Sequence, residues 1–170
     1  MYEVATREMP ERSLLCLKRN VDVRGMWAFG KEFIAILRER PLPKIEGREG
    51  AFFCIYWGEV SADSDGPIEW CRPVPPGEAH TLAEHYPELS LRTEPAHHEA
   101  FVAFGPSTGV TAVQWQLAVE ALQAWKEEQG IEDERLTLKP EDLGLRITYL
   151  ATGPATATTL IDCDFAVPFA

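Results

Sequence analysis

A chain of 170 residues is long enough for one domain with a buried core, or for two intimate halves. Hydrophobic residues make up 45% of it, but no apolar run approaches a bilayer span, and Met1 leads into Tyr2-Glu3-Val4 with no signal core, so a soluble cytoplasmic protein without a membrane partner is expected. The 27 acidic residues against 16 basic ones give a net charge of −11, which repels phosphate backbones, excludes nucleic acid as the expected partner and favours cationic ones.

The first strand predicted is Ser13-Leu-Leu-Cys-Leu-Lys-Arg-Asn-Val21, introduced by a turn around Pro10. From Met26 to Arg40 the period changes, and Trp27, Phe29, Phe33, Ile36 and Leu37 gather on one helical face until Pro41 and Pro43 end it. Ala51-Phe-Phe-Cys-Ile-Tyr-Trp57 is a second strand, Asp63-Ser-Asp-Gly66 a turn, and Ile68-Glu-Trp-Cys-Arg-Pro-Val74 a third strand. A short strand at Leu89–Thr93 leads to His98–Phe104, stopped by Gly105-Pro106. A second helix covers Thr111–Gln129, with Leu117, Ala118, Ala121, Leu122 and Trp125 as its apolar stripe and Gly130 as its stop. Leu145–Leu150 and Leu160–Phe169 are the last strands.

Strand, helix, strand, strand thus occurs twice, over about 5–76 and 89–170. Further marks repeat with the elements. Arg7-x-x-Pro10 matches Arg92-x-x-Pro95 at an offset of 85 positions, Tyr56 matches Tyr149, and Glu69 stands four residues before Pro73 as Asp164 does before Pro168. This pattern predicts an α+β domain built by pseudo-twofold duplication.

The four cysteines, Cys16, Cys54, Cys71 and Cys163, stand singly in strand-like runs with no CxxC pair. Buried thiols are expected, with neither a disulfide nor a metal site, because metal donors are usually closely spaced pairs. His97 and His98 are adjacent and would point to opposite faces of a strand, so a polar strand-edge cluster with Glu99 is expected.

Phe53-Cys-Ile-Tyr56, the acidic turn, Ile68-Glu-Trp-Cys-Arg-Pro-Val74, Ala100-Phe-Val-Ala-Phe-Gly-Pro106 and Asp164-Phe-Ala-Val-Pro168 occur in an order that resembles the GyrI-like small-molecule-binding domain. That domain also serves as the effector-binding domain of multidrug-sensing MerR-type and AraC-type regulators. The resemblance runs from about Tyr2 to Phe169. It implies one domain of two pseudo-symmetric units, an antiparallel sheet lining a central groove, helices packed outside, and lipophilic, often cationic and aromatic ligands held by aromatic walls and an acid. The family's groove glutamate corresponds in position to Asp164, one methylene shorter, so Glu69 of the first copy is expected to share or take that role.

Strand alternation separates Glu69 from Trp70 and Arg72, and Tyr56 from Trp57. Tyr56 with Glu69 and Tyr149 with Asp164 is the expected inward set, because the same residue types repeat. A carboxylate among rings is costly until a lipophilic cation compensates it. Trp27 and Trp115, near the helix starts, are placed either at the groove mouth or in the core, and Glu59 is read as a loop acid.

No GxSxG, P-loop or GxGxxG motif occurs, and no cofactor is expected. The residues before the first strand are too few for a helix-turn-helix, so direct DNA reading by this chain is not expected. The favoured class is a non-enzymatic binding protein that sequesters or senses small hydrophobic or cationic ligands. The alternative is a hydrolase opening strained cyclopropane-containing compounds through a groove carboxylate and tyrosine, as some GyrI-like relatives do.

Overall fold

The computed structural model describes residues 2–58, 60–107, 111–130, 145–151 and 161–169. In chain order the elements are β1 (Ala5–Met9), β2 (Arg12–Val21), α1 (Met26–Arg38), β3 (Phe53–Tyr56), β4 (Gly66–Val74), α2 (Ala79–His85), β5 (Ser90–Glu94), β6 (His97–Ser107), α3 (Ala112–Gln129), β7 (Leu145–Ala151) and β8 (Ile161–Phe169). Two of them, β1 and α2, have no counterpart in the sequence reading. Ala5-Thr-Arg-Glu-Met9 lacks the apolar alternation of a half-buried strand, and the seven residues of α2 are too few to display a helical period. β6 does not stop at Gly105-Pro106 but runs on to Ser107. Its pairing with β8 shifts register between Phe104 and Ser107, an irregularity of the kind that accommodates a proline without a ladder donor.

The strands form one antiparallel sheet in the order β1-β6-β8-β7-β3-β4-β2-β5. Exchanging each strand for its counterpart in the other half and reading backwards returns the same order. The duplication is therefore built into the sheet, and its pseudo-twofold axis passes between β3 and β7. There Cys54 faces Ile147, and Phe53 opposite Thr148 is mirrored by Arg146 opposite Ile55. The two leading strands are exchanged between halves: β1 pairs with β6 and β5 with β2.

One face of the sheet packs against the helices. Leu15, Cys54, Tyr56, Ile68, Trp70, Ile147 and Phe165 meet Phe29, Phe33 and Ile36 of α1, Ala118, Ala121 and Leu122 of α3, Leu82 of α2 and Tyr86 just after it. Leu117, expected in the α3 stripe, is 42% exposed. The narrow seam of Ala118, Ala121 and Leu122 carries that contact, and Leu117 falls to its side. Thr111 and Gln114 form a capping box at the start of α3, and Gly130 closes it in the left-handed region at φ 63°. No helix among the described residues is long and apolar enough to cross a membrane.

Gly30 lets α1 approach the sheet closely, because a Cβ there would lie 3.0 Å from Trp70 Cζ2. Gly30→Leu improves helix propensity but overpacks this contact, so a loss of about 1–3 kcal/mol is expected. Urea unfolding measures it; an unchanged or raised midpoint would contradict the close approach.

Candidate functional site

The second face of the sheet carries the charge. β5 and β7 stand four places apart in the sheet, which on a flat sheet is about 19 Å at roughly 4.8 Å per strand. Yet Arg146 Nη1 of β7 donates to Glu94 Oε2 of β5 at 2.6 Å. Two side chains cannot span that gap, so the sheet curls towards this face and forms a cleft with the helices outside.

Side chains fill the middle of the cleft. Arg12 Nη2 donates to Glu94 Oε1 at 2.5 Å, and Phe53 lies beneath the guanidinium groups of both Arg12 and Arg146. His97 Nε2 meets Glu99 Oε1 at 2.8 Å, while its Nδ1 lies 2.8 Å from the Pro95 carbonyl. Arg7 Nε donates to Glu99 Oε2 at 2.9 Å. Arg12, Glu94, Glu99 and Arg146 are buried and Arg7 and His97 half-buried, and their charges compensate one another, the condition under which burial is tolerated.

The two acids predicted for the groove lie on the flanks of this network. Asp164 receives Arg7 Nη2 at 2.9 Å and also contacts Arg48 from the turn before β3. Both guanidinium groups lie over the Phe101 ring, Arg7 at 4.2 Å and Arg48 at 5.6 Å. Glu69 receives Arg92 Nη2 at 2.6 Å and Nε at 3.2 Å, with Trp57 Nε1 at 3.3 Å. Asp164 and Glu69 are thus in the cleft and buried, each paired with an arginine lent by the exchanged leading strand of the other half. The repeated Arg-x-x-Pro mark therefore supplies the acids' partners.

The tyrosines do not join them. Tyr56 is paired in register with Ile68, so Glu69 lies opposite Ile55; Tyr149 is paired with Cys163, so Asp164 lies opposite Thr148. Alternation puts both tyrosines on the helix side, which corrects the expected inward set. Tyr149 stacks on Phe52 at 5.5 Å and leans on Trp70, and Tyr56 meets the edge of Trp115 at 4.8 Å. Burial pushes both hydroxyls upward in pKa, with Cys54 adding to it, so they stay protonated near neutrality. Trp115 is half-buried between Tyr56 and Phe165, whereas Trp27 is 72% exposed at the start of α1 and belongs to no core. Arg72 is on the helix side, apart from Glu69 as alternation requires. Glu59 lies outside the described residues.

Sequence reasoning missed Arg7, Arg12, Arg92, Arg146, Trp57 and Phe101 as cleft residues; only the Arg-x-x-Pro repeat was a visible signal. His97 faces the network and His98 stacks on Phe169 at 5.5 Å, on opposite sides as predicted, although β6 is an interior strand and not an edge. All four cysteines are buried thiols. Of two open depressions, one runs along α1 at Lys31, Ile34 and Arg38, and the other, where the Pro10 and Pro95 turns meet Phe169, borders the charge network at His97.

The chain matches no protein-family profile and no curated protein sequence. Solved structures do share its fold. It is similar to the C-terminal domain of EcmrR, with a TM-score of 0.61 at 14% identity over 99% of this chain and 97% of that one. SAV2435 bound to tetraphenylphosphonium gives a TM-score of 0.54 at 12% identity over 98% and 93% of the two chains. A hydrolase from Listeria innocua gives 0.56 at 10% over 98% and 91%. At these identities the likeness establishes the fold, and that fold is consistent with the GyrI-like architecture the sequence resembles.

Two predictions follow from the ion pairs. Asp164→Asn removes a counter-charge shared by Arg7 and Arg48, but Arg7 keeps Glu99 and Arg48 is one-third exposed, so a loss of about 1–3 kcal/mol in denaturant unfolding is expected; a loss within experimental error would contradict the pairing. The second concerns pH. Burial opposes ionisation of Glu99, but the His97 hydrogen bond with Arg146 and Arg7 outweighs it and holds the carboxyl at about 2. Glu94 is lowered in the same way, burial being outweighed by Arg146 and Arg12. Their stabilisation is complete above the ordinary carboxylate value of about 4.5 and is lost as pH falls towards 2. His97 moves the other way: burial lowers it, but Glu99, the Pro95 carbonyl and Glu94 raise it further. Its contribution is complete below the ordinary histidine value of 6.5 and fades as pH rises through the raised one. Stability against pH should therefore fall on both sides of a weakly acidic maximum, and Glu99→Gln should flatten the acid limb. A profile that climbs steadily as pH falls below 4.5 would contradict both assignments.

Proposed function

We propose that the chain binds lipophilic, cationic, aromatic small molecules in the cleft, and that a ligand enters by taking the place of one of the protein's own guanidinium groups. One observation carries the reading: each predicted groove acid is buried beside a ring with a cation already lodged against it. At Asp164 the cations are Arg7 and Arg48 over Phe101, and at Glu69 the cation is Arg92 beside Trp57. An acid, a π face and a positive charge in contact are what a lipophilic cation would need. That SAV2435, which shares the fold, is bound to tetraphenylphosphonium supports the same class of ligand.

The exchange is balanced electrostatically. An empty acid in this environment would be costly, whereas swapping one cation for another keeps it compensated throughout. Arg92 and Arg48 are the members free to leave, since their side chains are about one-third exposed, at 32% and 33%, while Arg7 is at 13%. A ligand ring on Trp57 or Phe101 would add a stacking contribution of about 0.5–2 kcal/mol. Few directional hydrogen bonds are needed, so several ligands of similar shape would serve. The hydrolytic alternative loses its geometry, because neither Tyr56 with Glu69 nor Tyr149 with Asp164 shares a face.

The exchange gives a prediction of unusual sign. Arg92→Gln removes the internal competitor and should tighten tetraphenylphosphonium by about tenfold in calorimetric titration, roughly 1.4 kcal/mol, while leaving the neutral triphenylphosphine oxide unchanged. Adding Glu69→Gln should cancel the gain. Weaker or unaltered cation binding by the folded Arg92→Gln variant would overturn the proposal.

A further inference from the structure

Cys16 and Cys71 are 55 residues apart in sequence, yet they are register partners across β2 and β4 on the cleft side. Their sulfurs lie 3.5 Å apart. Glu69, two residues before Cys71 on the same face, brings a carboxylate oxygen so that the three donor atoms all lie within 4.8 Å of one another. All three residues are buried.

The duplication provides an internal comparison. In the second half the corresponding register pair is Phe101 opposite Ala166, one large and one small apolar residue. The fold therefore packs this position without sulfur, and the two thiols are a feature of the first half alone. Tetrahedral zinc with bonds of about 2.3 Å to sulfur separates two thiolates by about 3.8 Å, so the observed sulfur pair needs to open by only a few tenths of an ångström. On Glu69, Oε1 already receives Arg92 Nη2 and Trp57 Nε1, whereas Oε2 receives Arg92 Nε alone at 3.2 Å and retains acceptor capacity.

We propose that Cys16, Cys71 and Glu69 form a binding site for a divalent thiophilic metal ion, zinc being the type. The ion would take two sulfurs and one oxygen, leaving a fourth position for water or another ligand. In the binding step two S–H bonds break, two metal–sulfur bonds form, and two protons pass to solvent; nothing is oxidised or reduced. Charge is preserved: two thiols, a carboxylate and a guanidinium sum to zero, and two thiolates with a divalent ion in place of the thiols leave the same sum. Arg92, 3.9 Å from Cys71 Sγ and one-third exposed, is the side chain over the site and would remain as the carboxylate's outer partner. The ion would pin β2 to β4 beside the cleft, whether or not the cleft takes an organic ligand.

The test is anaerobic titration of the reduced 170-residue chain with cobalt(II), followed by displacement with zinc. One cobalt per chain is expected, with an intense sulfur-to-cobalt charge-transfer band in the near ultraviolet. Cys16→Phe with Cys71→Ala, which transplants the pair from the second half, should abolish the band with the far-ultraviolet circular dichroism intact. Glu69→Gln should keep the band and weaken binding by about tenfold or more. A reduced, folded wild-type chain without the band, or a band that survives the double substitution, would overturn the proposal. Should the double variant fail to fold, zinc-edge X-ray absorption on the wild-type chain decides: two sulfur neighbours at about 2.3 Å support the site, and nitrogen and oxygen neighbours alone refute it.

Discussion

The structure is organised by arginines that each half lends to the other. The exchanged strand β1 carries Arg7 to Glu99 and Asp164 of the second half, and β5 carries Arg92 to Glu69 of the first. Glu94, also on β5, joins Arg12 of the first half to Arg146 of the second. Removing a member of this network takes a counter-charge from its partners, a larger penalty than the pair's net stabilisation wherever the partner is buried and has no second one. The network therefore constrains the curl of the sheet more than it adds to stability, and it dictates that the acids look into the cleft.

That constraint divides the chemistry between the two faces. Charge collects on the cleft side around Phe53, Phe101 and Trp57. The helix side takes Tyr56, Trp70, Tyr149 and Trp115 into an aromatic core with α1 and α3. On the helix side of β3, β4, β7 and β8 the described residues include no carboxylate, and Arg72 is the charged residue. The tyrosines support the cleft from behind, and the proposed recognition elements are acids, rings and displaceable guanidinium groups on the other side.

Much of this was legible in the sequence. The long helices and the interior strands announce themselves by period, and the duplication by the recurrence of Arg-x-x-Pro, tyrosine and acid-before-proline. The strand Ala5–Met9 was not, because its pattern is set by a partner in the other half and not by a core of its own. Which face Tyr56 occupies was also hidden. Alternation relates neighbours along one strand, but the register between β3 and β4 decides whether Tyr56 or Ile55 stands beside Glu69, and register is a property of two strands together. The Cys16–Cys71 pair escaped for the same reason: donor spacing along the chain says nothing about donors brought together across a ladder.

Half-buried rings on each face allow a direct test of where a ligand sits. Intermolecular nuclear Overhauser effects between tetraphenylphosphonium protons and the aromatic side chains discriminate the faces without any substitution. Contacts to Trp57 or Phe101 are predicted, since those rings border the acid–arginine pairs. Contacts confined to Phe52, Tyr149 or Trp115 would place the ligand between the helices and contradict the account.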